Sequence, residues 1–252
     1  MDELRRTQAD RSLTEKVQTY ARMAGVLGLV SVVAGGFGEA YVPGVLIVPQ
    51  DASATAANIV AREGLLRWGF AAYMLEAICD VALTLLFYIL FRVVQGELAL
   101  AAVFFRLIGT AGFAVAQVLF FASLSTLEIA APLHAFAPDQ RNALAMLLVR
   151  ISHHGQTVFT MLYGVGTLAF GWLMYRSAFL PSAMGVLVML AAGGFVAKAF
   201  TWVLTPAYSS PLLLAPAAIA FLIVSCWLVA IGIDVARWRD ARRRESWRER
   251  SA

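Results

Sequence analysis

The sequence is poor in charged residues. Of its 252 residues 14% are charged and 60% are hydrophobic, whereas an ordinary soluble domain carries about 25% charged residues. This deficit excludes a water-soluble globular domain. It predicts that most of the chain lies in a lipid bilayer, so we expect the bilayer to be a partner of the protein.

The chain is also poor in residues that bind metals or form disulfides, with two cysteines and three histidines. Cys79 and Cys226 each lie within an apolar run, which is typical of small buried residues. No H-E-x-x-H, G-x-S-x-G or Cys/His ligand spacing occurs, so the sequence offers no motif for a metalloprotease or a serine hydrolase. We therefore expect no metal ion and no cofactor.

A nucleic-acid partner is not expected either. The formal net charge is +4, but seven arginines fall in the last 16 residues and none lies on a DNA- or RNA-binding motif. Positive charge at the cytoplasmic flank of a membrane protein explains them more simply.

Long hydrophobic runs, by contrast, occur throughout the sequence. A transmembrane helix needs about 20 predominantly apolar residues, and runs of this kind predict six crossings, at residues 23–37, 64–92, 98–124, 151–175, 181–204 and a last one ending near 235. The predicted fold is all-α: a polytopic integral-membrane bundle of six transmembrane helices, plus a short surface helix in the first outer loop. We divide the chain into a cytoplasmic tail and helix start (1–19), the six-helix domain (20–236) and a basic cytoplasmic tail (237–252).

Local signals set the expected helix ends. Ser12 and Glu15 have the spacing of a capping box, which predicts that the first helix starts there and ends before Pro43. Asp51 and Ser53 are candidate N-caps for the short helix, expected at residues 54–62. A polar loop that contains Pro132 and His134 follows the third crossing.

Lysine and arginine counts predict the orientation. With a cytoplasmic N-terminus, that side receives five in the N-terminal tail, one each at Arg92 and Arg176 and seven in the C-terminal tail, fourteen in total, against four on the other side. Because positive charge in short loops stays inside, both termini are expected in the cytoplasm, and we expect a bacterial inner membrane. The sequence does not indicate an oligomeric state.

Ionisable residues inside the predicted crossings are candidates for a functional site, because such groups are costly in hydrocarbon. Glu76 and Asp80 are four residues apart and share a helix face. With a rise of about 1.5 Å per residue, Asp80 and Arg106 both fall near the bilayer midplane and are expected to pair. Four further residue positions fall toward the outer half: Glu39, His153, His154 and Lys198. These residues predict an outward-facing polar pocket with Asp80 and Arg106 as its floor.

Each candidate also has a purely structural interpretation. Asp80 and Arg106 can form a buried ion pair with no other role. Glu39 and Lys198 can extend to the outer membrane interface. His153 and His154 point about 100° apart on a helix, so at most one is expected to face a site.

Four stretches of the sequence resemble a known family. They are EAYVPGVLIVPQDASATAANIVARE (39–63), CDVALTLLFYILF (79–91), AAVFFRLIGTA (101–111) and an H-x-G element followed by GWLMYRSAFLPSAMGVLVMLAA. They are similar to the bacterial membrane family described as domain of unknown function 4386. The resemblance implies a helical integral-membrane protein without an assigned activity, with polar family positions at Glu39, Asp51, Asn58, Asp80, Arg106 and His153 or His154. Lys198 departs from the family pattern, in which a neutral or acidic residue is expected.

Two classes of function remain open, with one outlier. The first is a transporter or ligand-binding membrane module for a small polar molecule or protons, in which Glu76 and Asp80 exchange protons. The second is an intramembrane enzyme that uses a histidine and carboxylates, with or without a metal. The outlier is a chromophore on Lys198 with Asp80 as its counter-ion.

Overall fold

The computed structural model describes residues 2–128 and 136–251 and contains helices but no strands over those residues. The helices are α1 (Asp2–Gly35), α2 (Val42–Leu46), α3 (Ala52–Ala61), α4 (Glu63–Phe91), α5 (Gly96–Leu127), α6 (Pro138–Arg176), α7 (Ser182–Leu204), α8 (Ala215–Ala230) and α9 (Val235–Ser251). A π-helical turn, Gly36–Tyr41, joins α1 to α2, and two short 3-10 turns lie between α7 and α8.

Within the described part of the chain, six helical segments are long and apolar enough to cross a membrane. They are Leu13–Leu46, Glu63–Phe91, Gly96–Leu127, Pro138–Arg176, Ser182–Leu204 and Leu212–Ala230. The prediction of an all-α, multi-pass membrane bundle is therefore confirmed. The short helix of the first loop is present as α3, and the Asp51 carboxylate caps it by accepting the Ala54 N–H at 2.8 Å.

The prediction for the first helix is wrong at both ends. The helix begins at Asp2, ahead of the expected capping box, and it continues past Pro43 to Leu46. Pro43 has no N–H to donate to the carbonyl four residues earlier, which breaks the α-helical pattern. The chain responds with a π-helical turn, in which the Val42 N–H bonds to the Phe37 carbonyl five residues back. At the N-terminal end, the residues before Ser12 include no glycine or proline, so they extend the helix.

The last crossing ends at Ala230 rather than near residue 235, because the chain turns at Gly232, whose φ of +78° is in the left-handed region. Gln18 holds this turn, donating to the Ile231 carbonyl at 2.8 Å and accepting the Ile233 N–H at 3.2 Å. The following basic segment is helical, and its Trp238 indole donates to the Leu90 carbonyl at 2.9 Å. The loop expected around Pro132 and His134 lies outside the described residues.

Two apolar clusters lie at opposite ends of the bundle. One joins α1, α4, α6 and α9 around Phe91, Phe170 and Trp238. The other joins α2, α3, α5 and α6 around Leu46, Ile59 and Leu124. The buried charged residues lie between these clusters, so the middle of the bundle is polar and its ends are apolar.

Candidate functional site

Asp80 of α4 and Arg106 of α5 form an ion pair at the centre of the bundle. Their exposed fractions are 4% and 2%. Arg106 also donates to the Tyr163 hydroxyl at 2.5 Å, and its guanidinium carbon lies 4.2 Å from the centre of the Tyr163 ring. The Tyr163 hydroxyl donates to Asp80 Oδ1 at 2.9 Å. The Thr110 hydroxyl donates to Asp80 Oδ2 at 2.6 Å. The carboxylate is therefore held by three donors from α5 and α6.

The spacing of residues along α5 explains how one helix supplies two of these donors. Arg106 and Thr110 are four residues apart, so they lie one turn apart on the same face. Phe113 and Gln117 continue this face, and all four residues are buried. The face that α5 turns to its neighbours is thus polar at its middle.

Two glycines bring α5 and α6 close enough for these contacts. A Cβ atom at Gly166 would lie 2.8 Å from the Ala102 carbonyl oxygen and from Arg106 Cγ. At Gly109 it would lie 3.1 Å from the Tyr163 backbone nitrogen. Small residues at such positions let membrane helices pack backbone to backbone.

A second polar cluster joins Glu39, in the π-helical turn, to Glu76 of α4. The two carboxyl groups are close enough for their charges to interact. The Glu76 carboxyl group also packs against α1 at Gly35. The contact is close, since a Cβ atom at Gly35 would lie 2.8 Å from Glu76 Oε1. π-Helical turns inside α-helices occur frequently at functional sites, and here the turn carries one member of the pair.

Exposure decreases steadily from this pair to the bundle centre. Glu39 is exposed, Glu76 is half-buried and Asp80 is buried. Lys198 of α7 is half-buried and close enough to Glu39 for their charges to interact. Glu39, Glu76, Asp80 and Lys198 are thus connected by short-range charge interactions across three spans.

The two histidines lie at the margin of this cluster. Both are exposed, and both pack on Trp202 of α7, with ring centroids 5.5 Å from it for His153 and 4.9 Å for His154. His153 is also near Lys198. The structure therefore brings His153 toward the charged cluster and leaves His154 in contact with the tryptophan.

A buried amide, that of Gln117, lies beside Tyr73 of α4. Gln117 is 1% exposed and lies beside the Tyr73 hydroxyl, which Gln156 approaches at 3.5 Å. Neither polar atom of the Gln117 side chain has a hydrogen-bond partner of normal geometry in the described residues, and the same holds for Glu76 Oε2. Buried polar atoms without partners are uncommon and call for a specific explanation.

A cavity of about 40 Å³ lies on the other side of the ion pair. All the membrane-spanning helices in the described part of the chain contribute to its lining, which includes Arg106, Ser31, Thr167 and Ser225. Arg106 Nε and Thr167 Oγ1 are buried without partners within the described residues. The volume exceeds the ~10–15 Å³ that a water molecule needs.

No group of three or more His, Cys, Asp or Glu side chains that could hold a metal ion occurs in residues 2–128 and 136–251. The cysteines in this part of the chain are both free thiols; Cys79 is buried as expected, but the expectation is wrong for Cys226, which is exposed on α8.

Comparison with known proteins identifies the family. The family model of a domain of unknown function (DUF4386) matches residues 23–232. The chain belongs to this family. Comparisons with curated proteins and with solved structures found no match. All the polar positions that the resemblance implied, from Glu39 to His154, lie inside the part that matches DUF4386.

Sequence reasoning missed three of the residues that complete this DUF4386 site. The sequence does contain a signal for Thr110, because it is four residues from Arg106 and therefore lies on the same face of α5. Tyr163 and Tyr73 had none, since a tyrosine in an apolar helix is equally typical of packing. Their roles depend on which helices are neighbours, which the sequence pattern does not specify.

Proposed function

We propose that this membrane protein is a proton-coupled transporter of a small polar or zwitterionic molecule, and that Glu39 and Glu76 together carry the proton. The observation that supports this most directly is that these two carboxyl groups, both in membrane spans, are close enough for their charges to interact.

The chemistry of such a pair requires a proton. An ionised carboxylate only accepts hydrogen bonds, so a hydrogen bond between two carboxyl groups needs one of them protonated. Two negative charges side by side in a bilayer would also be costly. A pair that shares one proton, with Lys198 nearby, keeps the cluster close to neutral and gains or loses that proton in response to a ligand.

We place the opening of the pocket at Glu39, the carboxylate of this cluster with the largest exposed fraction. The proposed pocket runs from Glu39 past Glu76 to Asp80 and Arg106, with His153 and Lys198 at its margin. The unpartnered amide of Gln117 suits a ligand that both donates and accepts hydrogen bonds. Helix α3 acts as the lid of this pocket. The Asn58 side-chain amide donates to the Leu46 carbonyl at 3.4 Å, which holds α3 against the end of the first span.

Infrared spectroscopy of the purified protein tests the shared proton. We expect Glu39→Gln and Glu76→Gln each to remove a C=O stretching band of a protonated carboxyl group. Glu97→Gln, an exposed glutamate at the start of α5, should leave the band in place. If the spectra of both pair variants match that of the wild type, no proton is shared and the proposed function is refuted.

A glycine pair adds a control that keeps both glutamates. Gly35→Ala should shift the band, because its Cβ would displace the Glu76 carboxyl group. Gly36→Ala should not, since nothing lies within 4 Å of a Cβ atom there. Equal spectra of the two alanine variants would argue against the packing of Glu76 on α1.

Transport itself is tested in liposomes containing the protein and a pH-sensitive dye. An inward gradient of a mixture of zwitterionic amino acids should draw protons inward with the wild type and not with Glu76→Gln. Absence of proton uptake with the wild type would exclude this class of solute.

We also propose that the protein lies in a bacterial inner membrane with both termini in the cytoplasm. Arg92, Arg176 and two arginines of α9, Arg237 and Arg244, line one cavity at the same end of the bundle, which supports placing that end inside. Reporter fusions after residue 252 and within residues 51–62 should report opposite sides of the membrane. Reports from the same side would refute this orientation.

A further inference from the structure

The basic end of the bundle contains a large cavity that the proposed transport pathway does not use. Its volume is about 610 Å³, and it lies between the α4–α5 turn, the end of α6 and helix α9. Four arginines line it: Arg92, Arg176, Arg237 and Arg244. The volume falls within the ~300–1,000 Å³ of typical ligand pockets.

Two of these arginines have no ion pair, side-chain hydrogen bond or ring contact in the described residues, whereas Arg176 lies over the Trp172 ring. Arg237 is engaged by Asp234 at 3.3 Å and by the Ala178 carbonyl at 3.2 Å. Arg92 and Arg244 are exposed and make no ion pair with the residues that the structure describes. The first turn of α5, at Gly96, also lines the cavity, and the N–H groups of a helix start are free to bind anions.

The charge of the lining limits which anion fits. Glu97, Asp240 and Glu245 line the same cavity, so they offset much of the charge of the four arginines. The formal charge that remains is close to that of a single cation. A singly charged phosphodiester matches this better than a doubly charged phosphate monoester, and arginine binds phosphate oxygens in a bidentate manner.

The position of the cavity indicates the source of that phosphodiester. Trp172 and Tyr175, each 43% exposed, lie beside Arg176, whose guanidinium carbon is 5.9 Å from the Trp172 ring centre. Exposed tryptophan and tyrosine at the end of a span are typical of the headgroup level of a membrane. Basic pockets at this level bind the headgroups of anionic lipids.

We infer that this cavity binds a phosphate-bearing anion, the phosphodiester headgroup of an anionic phospholipid, through Arg92, Arg244 and the first turn of α5. The inference rests on the basic end of the bundle and is independent of the proposed transport function.

Native mass spectrometry of the full-length protein in detergent, with added phosphatidylglycerol, tests this site. Arg92→Gln and Arg244→Gln should each weaken binding about fivefold, the equivalent of the ~1 kcal/mol expected per cation at a membrane surface. Glu97→Gln should strengthen it by a similar factor, because a repelling charge is removed. Arg150→Gln, about seven helical turns from Arg176 along α6, is the matched control and should change nothing. Thermal melting of each variant checks that it is folded.

Two further ligands separate the possible sources. Phosphatidylcholine should bind much more weakly than phosphatidylglycerol, and sodium phosphate at the same concentration should not displace the lipid. Full displacement by phosphate would refute the lipid as the source. Equal binding of the two lipids, or equal weakening by Arg92→Gln and Arg150→Gln, would overturn the site.

Discussion

Replacing Asp80 by asparagine is expected to lower the free energy of unfolding by about 3–5 kcal/mol, the cost of leaving one charge of a buried ion pair without its partner. Arg106 is only 2% exposed, and its Nε already lacks a partner in the described residues. After the substitution only neutral partners remain beside the guanidinium, the Tyr163 hydroxyl and the amide oxygen of the introduced asparagine. Because arginine stays charged in proteins, it has no way to relieve this cost.

The reverse substitution, Arg106→Gln, is expected to cost less than Asp80→Asn. An aspartate can bind a proton and become neutral, and Asp80 retains the hydroxyl groups of Thr110 and Tyr163 as partners. The double variant Asp80→Asn with Arg106→Gln should recover part of the loss, since it removes both charges together.

Unfolding in mixed micelles measures these differences. Asp51→Asn is the matched control, because Asp51 is exposed and asparagine caps helices about as well as aspartate. If Asp80→Asn is as stable as Asp51→Asn, water or a ligand compensates Arg106, and the ion pair does not hold the bundle together.

The membrane spans were predictable from sequence because the bilayer imposes one requirement on all of them, a long apolar helix. Helix ends were less predictable. Pro43 predicts the end of the first helix, but a π-helical turn absorbs its missing hydrogen bond. Gly232 carries a backbone conformation that no hydropathy pattern reveals. Local backbone geometry therefore determines where the first and the last spans end.

The contacts of the candidate site could be predicted only where two residues fall at the same depth in the bilayer. Asp80 and Arg106 were expected to meet because both fall near the midplane, and the structure has them in contact. The contact of Glu39 with Glu76 additionally depends on α1 packing against α4. Tyr163 enters through the pairing of α5 with α6, and Gln117 through its position beside Tyr73 of α4. A single sequence carries no signal for either pairing.

The second large effect is expected at Gly166, where α6 passes α5. Gly166→Ala should lower the free energy of unfolding by about 1–3 kcal/mol, the usual cost of overpacking a tight contact. A Cβ atom there would lie 2.8 Å from the Ala102 carbonyl oxygen and 3.0 Å from the Arg106 backbone nitrogen. Neither backbone atom can move without shifting α5, so the substitution also displaces the ion pair.

Gly112→Ala in α5 is the matched control, since nothing lies within 4 Å of a Cβ atom at that position. It should be neutral or slightly stabilising, because alanine favours a helix more than glycine does. Unfolding of both variants in the same micelles gives the comparison. Equal stability of the two alanine variants would mean that α5 and α6 can separate at little cost, and the close approach at Gly166 would then not be what positions Arg106 beside Asp80.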